Sequence, residues 1–428
     1  MVDLQAGGRL RSCVLISYDF TTRIAGASHR ALAFVRALTK LGFHVLVITS
    51  TPKEDFPAVP DGVRLLSIPS CERTWGGGIQ AGDTPSLGGN PTWLRALSPI
   101  KTLLPLERQL SWTWPFLRKA PVHCRGLDVA AVITITAPYS MMPLGHALAR
   151  RVGALHVIDL RDDWVDRFRS GWRDAVSRRI GNAAVMAYAR RAAVVSAVNF
   201  TAVRRLEALG VSVRLVPNGF VESSFAEIPM VARPVEPTGP LEVVHLGWMS
   251  AFRDLSGFVH GLESLAAIGL GSEFRFTQIG LIDEDQRDLL ERSPVRERIR
   301  IEVQVPHEEA VRRMANADVL LAVPGHEIPG ALSGKLYEYL RSRRPILLLA
   351  RPGAAVSLLQ AAGEDWIADP DDEKAIASLL EAMVRAKRDG GLVARSKPDF
   401  VKQFDRDLAA DEWALMVKDL SEKPRQER

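Results

Sequence analysis

Short apolar runs alternate with stretches of helical spacing from the start of the chain. CVLISYDF (13–20) reads as a buried strand, since a continuous apolar run of this length bounded by turn signals suits a strand covered on both faces. TTRIAGASH (21–29) reads as a loop, a helix follows from about Arg30 to Leu41, and HVLVITS (44–50) is the next strand. Further strands are expected at VRLLSI (63–68), VAAVITIT (129–136), LHVIDL (155–160) and AAVVSAV (192–198), with helices between several of them. A strand, a helix and a second strand in this order open a parallel, doubly wound sheet.

The rhythm breaks at residues 70–126. The stretch CERTWGGGIQAGDTPSLGGNP is rich in Gly and Pro and reads as a loop. PTWLRALSPIKTLLPLERQLSWTWPFLRKA then mixes Trp93, Trp112 and Trp114 with Arg and Lys. It reads either as an amphipathic, membrane-surface insertion or as helices packed on the core with their Arg stems laid over it. The second is favoured here, because prolines interrupt any long amphipathic helix.

Residues 228–240 hold four prolines in thirteen residues and read as a linker and hinge. A second alternating set follows it. Strands are expected at LEVVHLG (241–247), FRFTQIG (274–280), IRIEVQV (299–305), DVLLAVP (318–324), PILLLA (345–350) and DWIAD (365–369). Helices are expected around 254–268, 283–292, 307–316, 333–342, 353–362 and 371–387. The predicted organisation is a Rossmann-like domain over 1–227, the linker 228–240, a second Rossmann-like domain over 241–399, and a helical tail, 400–428, that crosses back to the first domain.

Charge adds an asymmetry. Residues 1–220 carry 28 Lys and Arg against 15 Asp and Glu, net +13, whereas the remainder is net −8. A basic half suits an acidic acceptor or the inner face of an anionic membrane; no feature points to nucleic acid. No apolar run precedes the first strand and none reaches a spanning length, so a cytoplasmic location is expected. Cys13, Cys71 and Cys124 are widely spaced and suggest neither a disulfide framework nor a metal site. The histidines lack zinc spacing, and DEDQ (283–286) and DPDDE (369–373) precede helices, which suits caps and first-turn acids better than metal ligands.

Two α/β domains place ligands at the carboxyl ends of their strands, and the motifs gather there. They are the loop holding Gly26 and His29, TITAPYS (134–140), VIDLRDDWVD (157–166), LVPNGF (215–220), HLGWMSAFRDL (245–255) and PGALSGKLYEYLRSRRPILLL (329–349). In the last, Lys335 and Glu338 stand at i and i+3 and share a helix face just inside its start. A carboxylate there can accept two ribose hydroxyls, and the free N–H groups of the helix start attract an anion.

Taken in order, these motifs resemble the retaining GT-B glycosyltransferases of family four, in the branch serving bacterial polysaccharide and glycoconjugate assembly. The resemblance implies two Rossmann-like domains facing each other across a cleft, and retaining transfer from a UDP- or GDP-linked sugar to a small-molecule, glycan or lipid-linked hydroxyl, with no metal and no cofactor. It implies a diphosphate held by Lys335 and by Arg253, which stands in for the family's Lys. Glu338, Gly247, Gly330, Ser333, His307 and Glu327 would serve the nucleotide sugar. Gly26, His29, Arg161, Asp162 and Asp163 would serve the acceptor, Asp162 closest to the chemistry. The chain departs from the family pattern at Trp248, where an Arg is usual, and at Gly330, where a Glu is usual; Glu327 and His326 are the nearby substitutes. Two alternatives are a sugar-nucleotide epimerase or hydrolase of the same fold and an inactive binding or scaffold subunit.

Overall fold

The computed structural model describes residues 11–21, 25–70, 111–136, 138–161, 172–250, 253–324 and 332–423. It divides into two compact units, residues 1–217 with 407–428 and residues 218–406.

The first unit is built on a seven-stranded sheet in the order β3-β2-β1-β4-β5-β6-β7, parallel throughout. The strands are β1 (Arg11–Ser17), β2 (His44–Thr49), β3 (Val63–Ser67), β4 (Asp128–Thr136), β5 (Leu155–Leu160), β6 (Val194–Ala197) and β7 (Val213–Leu215). Central β4 shows why the sequence reads as an unbroken apolar run: after Asp128 every residue is buried, since helices cover both faces of a parallel sheet. Helix α1 (Ala25–Lys40) follows β1, α2 (Thr113–His123) precedes β4, α3 (Met141–Val152) follows it, and α4 (Trp172–Ala189) and α5 (Phe200–Ala208) complete the windings.

The second unit has six parallel strands in the order β10-β9-β8-β11-β12-β13. They are β8 (Leu241–Leu246), β9 (Phe274–Ile279), β10 (Ile299–Glu302), β11 (Val319–Ala322), β12 (Ile346–Leu349) and β13 (Ile367–Ala368). Their helices are α6 (Ser256–Leu265), α7 (Glu284–Arg292), α8 (His307–Asn316), α9 (Gly334–Ser342), α10 (Ala354–Ala362), α11 (Glu373–Arg388) and α12 (Pro398–Lys402). Both sheets reverse winding beside their first strand, between β1 and β4 and between β8 and β11, the place where open α/β sheets bind ligands.

Three expectations are corrected. Helix α1 begins at Ala25, so Gly26 and His29 belong to its first turns and not to a loop; AGASHRALAF contains nothing that stops a helix, and alanine favours one. Residues 228–240 are docked on the second unit: Val235 is buried in its core and its N–H bonds Leu392 O at 2.7 Å, while Lys387 Nζ donates to Pro240 O at 2.7 Å. The chain instead leaves the first unit between Pro217 and Asn218 and returns between Arg406 and Asp407, not at residue 400.

The outgoing and returning strands are tied together. Phe220 N–H donates to Phe404 O at 3.0 Å, Arg406 N–H to Phe220 O at 2.8 Å, and the Arg406 guanidinium to the carbonyls of Asn218 and Gly219 at 2.7 and 3.0 Å. Gly219 permits this with φ +59; a Cβ there would stand 2.3 Å from Phe404 O. From Asp407 onward α13 (Arg406–Glu422) belongs to the first unit, where Trp413 stacks on Phe34 of α1.

Candidate functional site

The sequence features with the most chemistry fall at the winding reversal of the second unit. Strand β8 ends at Leu246 and runs into Gly247, whose φ is +137. Gly280, at the end of neighbouring β9, lies against it: a Cβ on Gly280 would stand 2.5 Å from Gly247 O. Glycine at both positions therefore lets two strand ends close up and leaves Gly247 without a side chain at the ligand-facing edge.

From this edge the chain continues to Trp248 and Arg253. Trp248 is exposed, and its indole N–H donates to Asp283 Oδ1 at 2.8 Å. Asp283 occupies the N-cap position of α7 without a side-chain capping bond, while Glu284 and Asp285 stand in its first turn, as the reading of DEDQ as first-turn acids has it. In DPDDE, Asp372 does cap α11, accepting from Ala375 N–H at 2.9 Å. The Arg253 guanidinium donates to Trp248 O at 2.6 Å and is half-buried; that burial lowers its pKa from the ordinary value, with Tyr339 acting in the other direction.

The other wall starts with α9. Ser333 caps it, its Oγ accepting from Lys335 N–H, so the helix opens with a satisfied first turn and a positive dipole end. One turn in, Lys335 Nζ donates to Glu338 Oε2 at 2.9 Å, with Glu338 the more covered of the two. The i and i+3 spacing thus brings ammonium and carboxylate together as the sequence implied. Next on the helix, Tyr339 is buried, and its hydroxyl accepts from Leu246 N–H at 2.9 Å, pinning α9 to the last residue of β8.

A buried polar pair lies beneath. Gln278 Nε2 donates to Gly247 O at 2.9 Å, so its Oε1, 2.6 Å from His245 Nδ1, accepts the proton of that nitrogen. Burial is the main cause that pushes His245 down to about 4; the Gln278 bond opposes this, and the charges of Arg253 and Lys335 add to it. Arg253, after β8, and Lys335, in the first turn of α9, are therefore both near His245 at the end of β8. The imidazole stays neutral, so the positive charge is left to Arg253 and Lys335. Motif reading did not identify His245, Gln278 or Tyr339 as part of this arrangement; the polar residues His245 and Gln278 ending otherwise apolar strands were the available signal.

His307 is exposed at the start of α8, after β10. Gly330 and Glu327 lie outside the described residues, as does His326. In the first unit, His29 is exposed on α1 and Arg161 is half-buried directly after β5; Asp162 and Asp163 lie outside the described residues. The strongest polar feature of that unit was not expected. Arg30 and Asp159 are almost wholly buried and meet through two hydrogen bonds of 2.7 Å. Ser196 Oγ also donates to Asp159 Oδ1 at 2.6 Å, and Arg30 Nη1 to Pro217 O at 3.1 Å. Among the described residues no three His, Cys, Asp or Glu gather as a metal site would require, and no helix is long and apolar enough to cross a membrane. Cys13 and Cys124 are buried thiols whose pKa values burial raises to about 12 and about 11.

Residues 25–219 match the family model described as a glycosyl transferase 4-like domain. No curated protein matches the sequence at a significant level. Among solved structures, sucrose-phosphate synthase from Thermosynechococcus elongatus is similar in fold, at 15% identity over 96% of this chain and 99% of that one, with a TM-score of 0.66. HepE from Anabaena in complex with UDP aligns at 11% identity over 95% of this chain and 99% of that one, TM-score 0.62. The E. coli trehalose-6-phosphate protein bound with UDP-2-fluoro glucose aligns at 14% identity over 97% and 99%, TM-score 0.58.

Proposed function

We propose retaining transfer of a sugar from a nucleoside diphosphate sugar to an acceptor hydroxyl, without a metal, for this chain, whose residues 25–219 match a glycosyl transferase 4-like domain and whose two units have the GT-B fold. The second unit holds the donor. Glu338 accepts from the ribose hydroxyls, Lys335 and Arg253 meet the diphosphate, Ser333 sets the start of the helix beside it, and Gly247, which has no side chain, leaves room for it. Gly330, Glu327 and His307 serve sugar and base. The acceptor, a small-molecule, glycan or lipid-linked hydroxyl, is met by Gly26, His29, Arg161, Asp162 and Asp163, and the protein works at the surface of an anionic membrane.

The observation that carries this reading is the placement of Arg253, bonded to Trp248 O just past β8, and of the Lys335–Glu338 pair one turn into α9, which Tyr339 pins to Leu246 at the end of β8. A departing diphosphate gains negative charge as the glycosidic bond breaks, and fixed cations with a helix N-terminus stabilise that charge without reorganising. Lys335 and Glu338 satisfy each other before donor arrives; ribose hydroxyls and phosphate oxygens replace each partner in kind. UDP is the first nucleotide to test, since HepE and the E. coli protein were solved with UDP and a UDP sugar.

Trp248, standing where a cation would grip phosphate, favours a second reading, a subunit that binds nucleotide sugar without turnover. Calorimetry with UDP and GDP, followed by NMR of the anomeric proton after incubation with donor and an acceptor panel, separates the readings. Retained configuration in the product supports transfer as proposed, and an inverted anomer sinks it. Tight binding with no product supports the second reading.

A further inference from the structure

Helix α2 (Thr113–His123) carries apolar residues on two sides, and among the described residues one side packs on the core. Trp112, Phe116, Ala120 and Cys124 recur every fourth residue and are buried. Trp112 is fixed by a 2.5 Å bond from its indole N–H to Ile68 O and by edge contact with Tyr18. At the far end Arg64 Nη2 donates to His123 O at 2.9 Å. The helix is thus held by its inner seam. Pro121 lies in its last turn, and the part of the stretch 91–120 before residue 111 lies outside the described residues.

The outer side carries Trp114, Leu117 and Val122, exposed by 69%, 40% and 50%. At 3.6 residues per turn these share one stripe with Arg118, Pro121 and Arg125. Lys119 and His123 are also exposed, and no acidic residue occurs between Ser111 and Leu127. Arg64 adds a further exposed basic group at the helix end. Large exposed apolar side chains, an indole among them, interspersed with Arg and Lys and with no acidic residue on the helix, match an anionic lipid surface, where the ring sits at headgroup level and the Arg and Lys heads meet phosphate.

We propose that this outer face of α2 docks the protein on anionic lipid, with Trp114, Leu117 and Val122 inserted among the headgroups and Arg118, Lys119 and Arg125 paired with lipid phosphates. The proposal deepens the membrane-surface reading above and does not depend on the transfer chemistry. The test is co-sedimentation of the full chain with phosphatidylcholine vesicles, with and without phosphatidylglycerol. Wild type is expected to bind the anionic vesicles only, and less as salt rises. Two double variants, Trp114→Gln with Leu117→Gln and Arg118→Glu with Lys119→Glu, alter exposed side chains alone. Each is expected to bind anionic vesicles at least about tenfold more weakly, with unchanged melting temperature and UDP binding. Equal binding to neutral vesicles, no binding by wild type, or wild-type binding by both variants overturns the proposal. So does a self-association that the Trp114 variant abolishes while vesicle binding persists, which would assign the face to a second copy. Lost UDP binding with vesicle binding intact would count against the transfer reading alone.

Discussion

Arg30 of α1 and Asp159 of β5 form a nearly waterless ion pair, joined by two 2.7 Å hydrogen bonds, and the same guanidinium holds the carbonyl of Pro217, the last residue before the chain leaves the first unit. Its ring neighbours extend the link: the Arg30 guanidinium lies 5.0 Å from the Phe34 ring centroid, and Phe34 stacks on Trp413 at 3.9 Å. One buried cation therefore connects the first helix, the central sheet, the outgoing chain and the returning helix.

Asp159→Ala leaves that cation buried with most of its compensation removed. A loss of about 3–5 kcal/mol is expected in urea denaturation. The double variant Arg30→Met with Asp159→Leu is expected to recover most of it, because exchanging a whole buried pair for apolar volume is often neutral. A single variant as stable as wild type would show that the pair has no such role.

Gly219→Ala tests the tie between the outgoing and returning chain. The new methyl would meet Phe404 O at 2.3 Å with a φ of +59, so the backbone has to move. A destabilisation of more than about 1 kcal/mol is expected, read by thermal or urea melting. Gly210→Ala, at a positive φ with open space around the Cβ, is the control for the conformational part alone.

Acid stability follows from two buried imidazoles. Burial lowers His156 to about 3, with the His146 charge adding to the effect, and lowers His245 to about 4. Both rings are neutral in the folded chain, whereas in the unfolded chain they take up protons near 6.5. The unfolded state binds more protons below that value, so stability is fully present above 6.5 and falls as pH drops toward 4 and 3. Each ring contributes a slope of up to about 1.4 kcal/mol per pH unit. His156→Gln, which keeps a partner for Thr134, is expected to flatten the curve by about one proton. An unchanged slope would place the acid sensitivity elsewhere.

Glu338→Ala and Lys335→Ala are expected to differ in kind. Removing the carboxylate costs the ribose a charged acceptor and should weaken nucleotide binding at least about tenfold. Removing the ammonium should lower turnover more than affinity, because its partner gains charge only as the bond breaks. Neither should change folding stability by more than about 1 kcal/mol, since the 2.9 Å pair spans one turn and is partly exposed, Lys335 by 37% and Glu338 by 15%. Wild-type donor binding and turnover in Glu338→Ala would remove the donor site from α9.

The architecture was legible because its signals are local. Uninterrupted apolar runs such as VAAVITIT and PILLLA specify strands covered on both faces, and the Ser333–Glu338 segment carries its cap and its i, i+3 pair within one turn. Trp112 and Trp114 show where local reading stops. They are two residues apart on one helix, yet one is in the core and the other is exposed, and only the packing of Phe116 and Ala120 decides which. The start of α1 was missed because nothing local separates AGASH as a loop from AGASH as the first turns of a helix.

What the sequence alone determined is the set of elements and the residue types at their ends, since propensity, capping and periodicity act over a few neighbours. What the tertiary structure decided is every relation across long sequence separation. Asp159 meets Arg30 and Ser196, His245 meets Gln278 near Arg253 and the first turn of α9, and Val235 of the expected linker is buried instead in the second core. These depend on strand order and on which buried polar group finds a partner, and that is fixed only when the sheets assemble and water is excluded from between their layers.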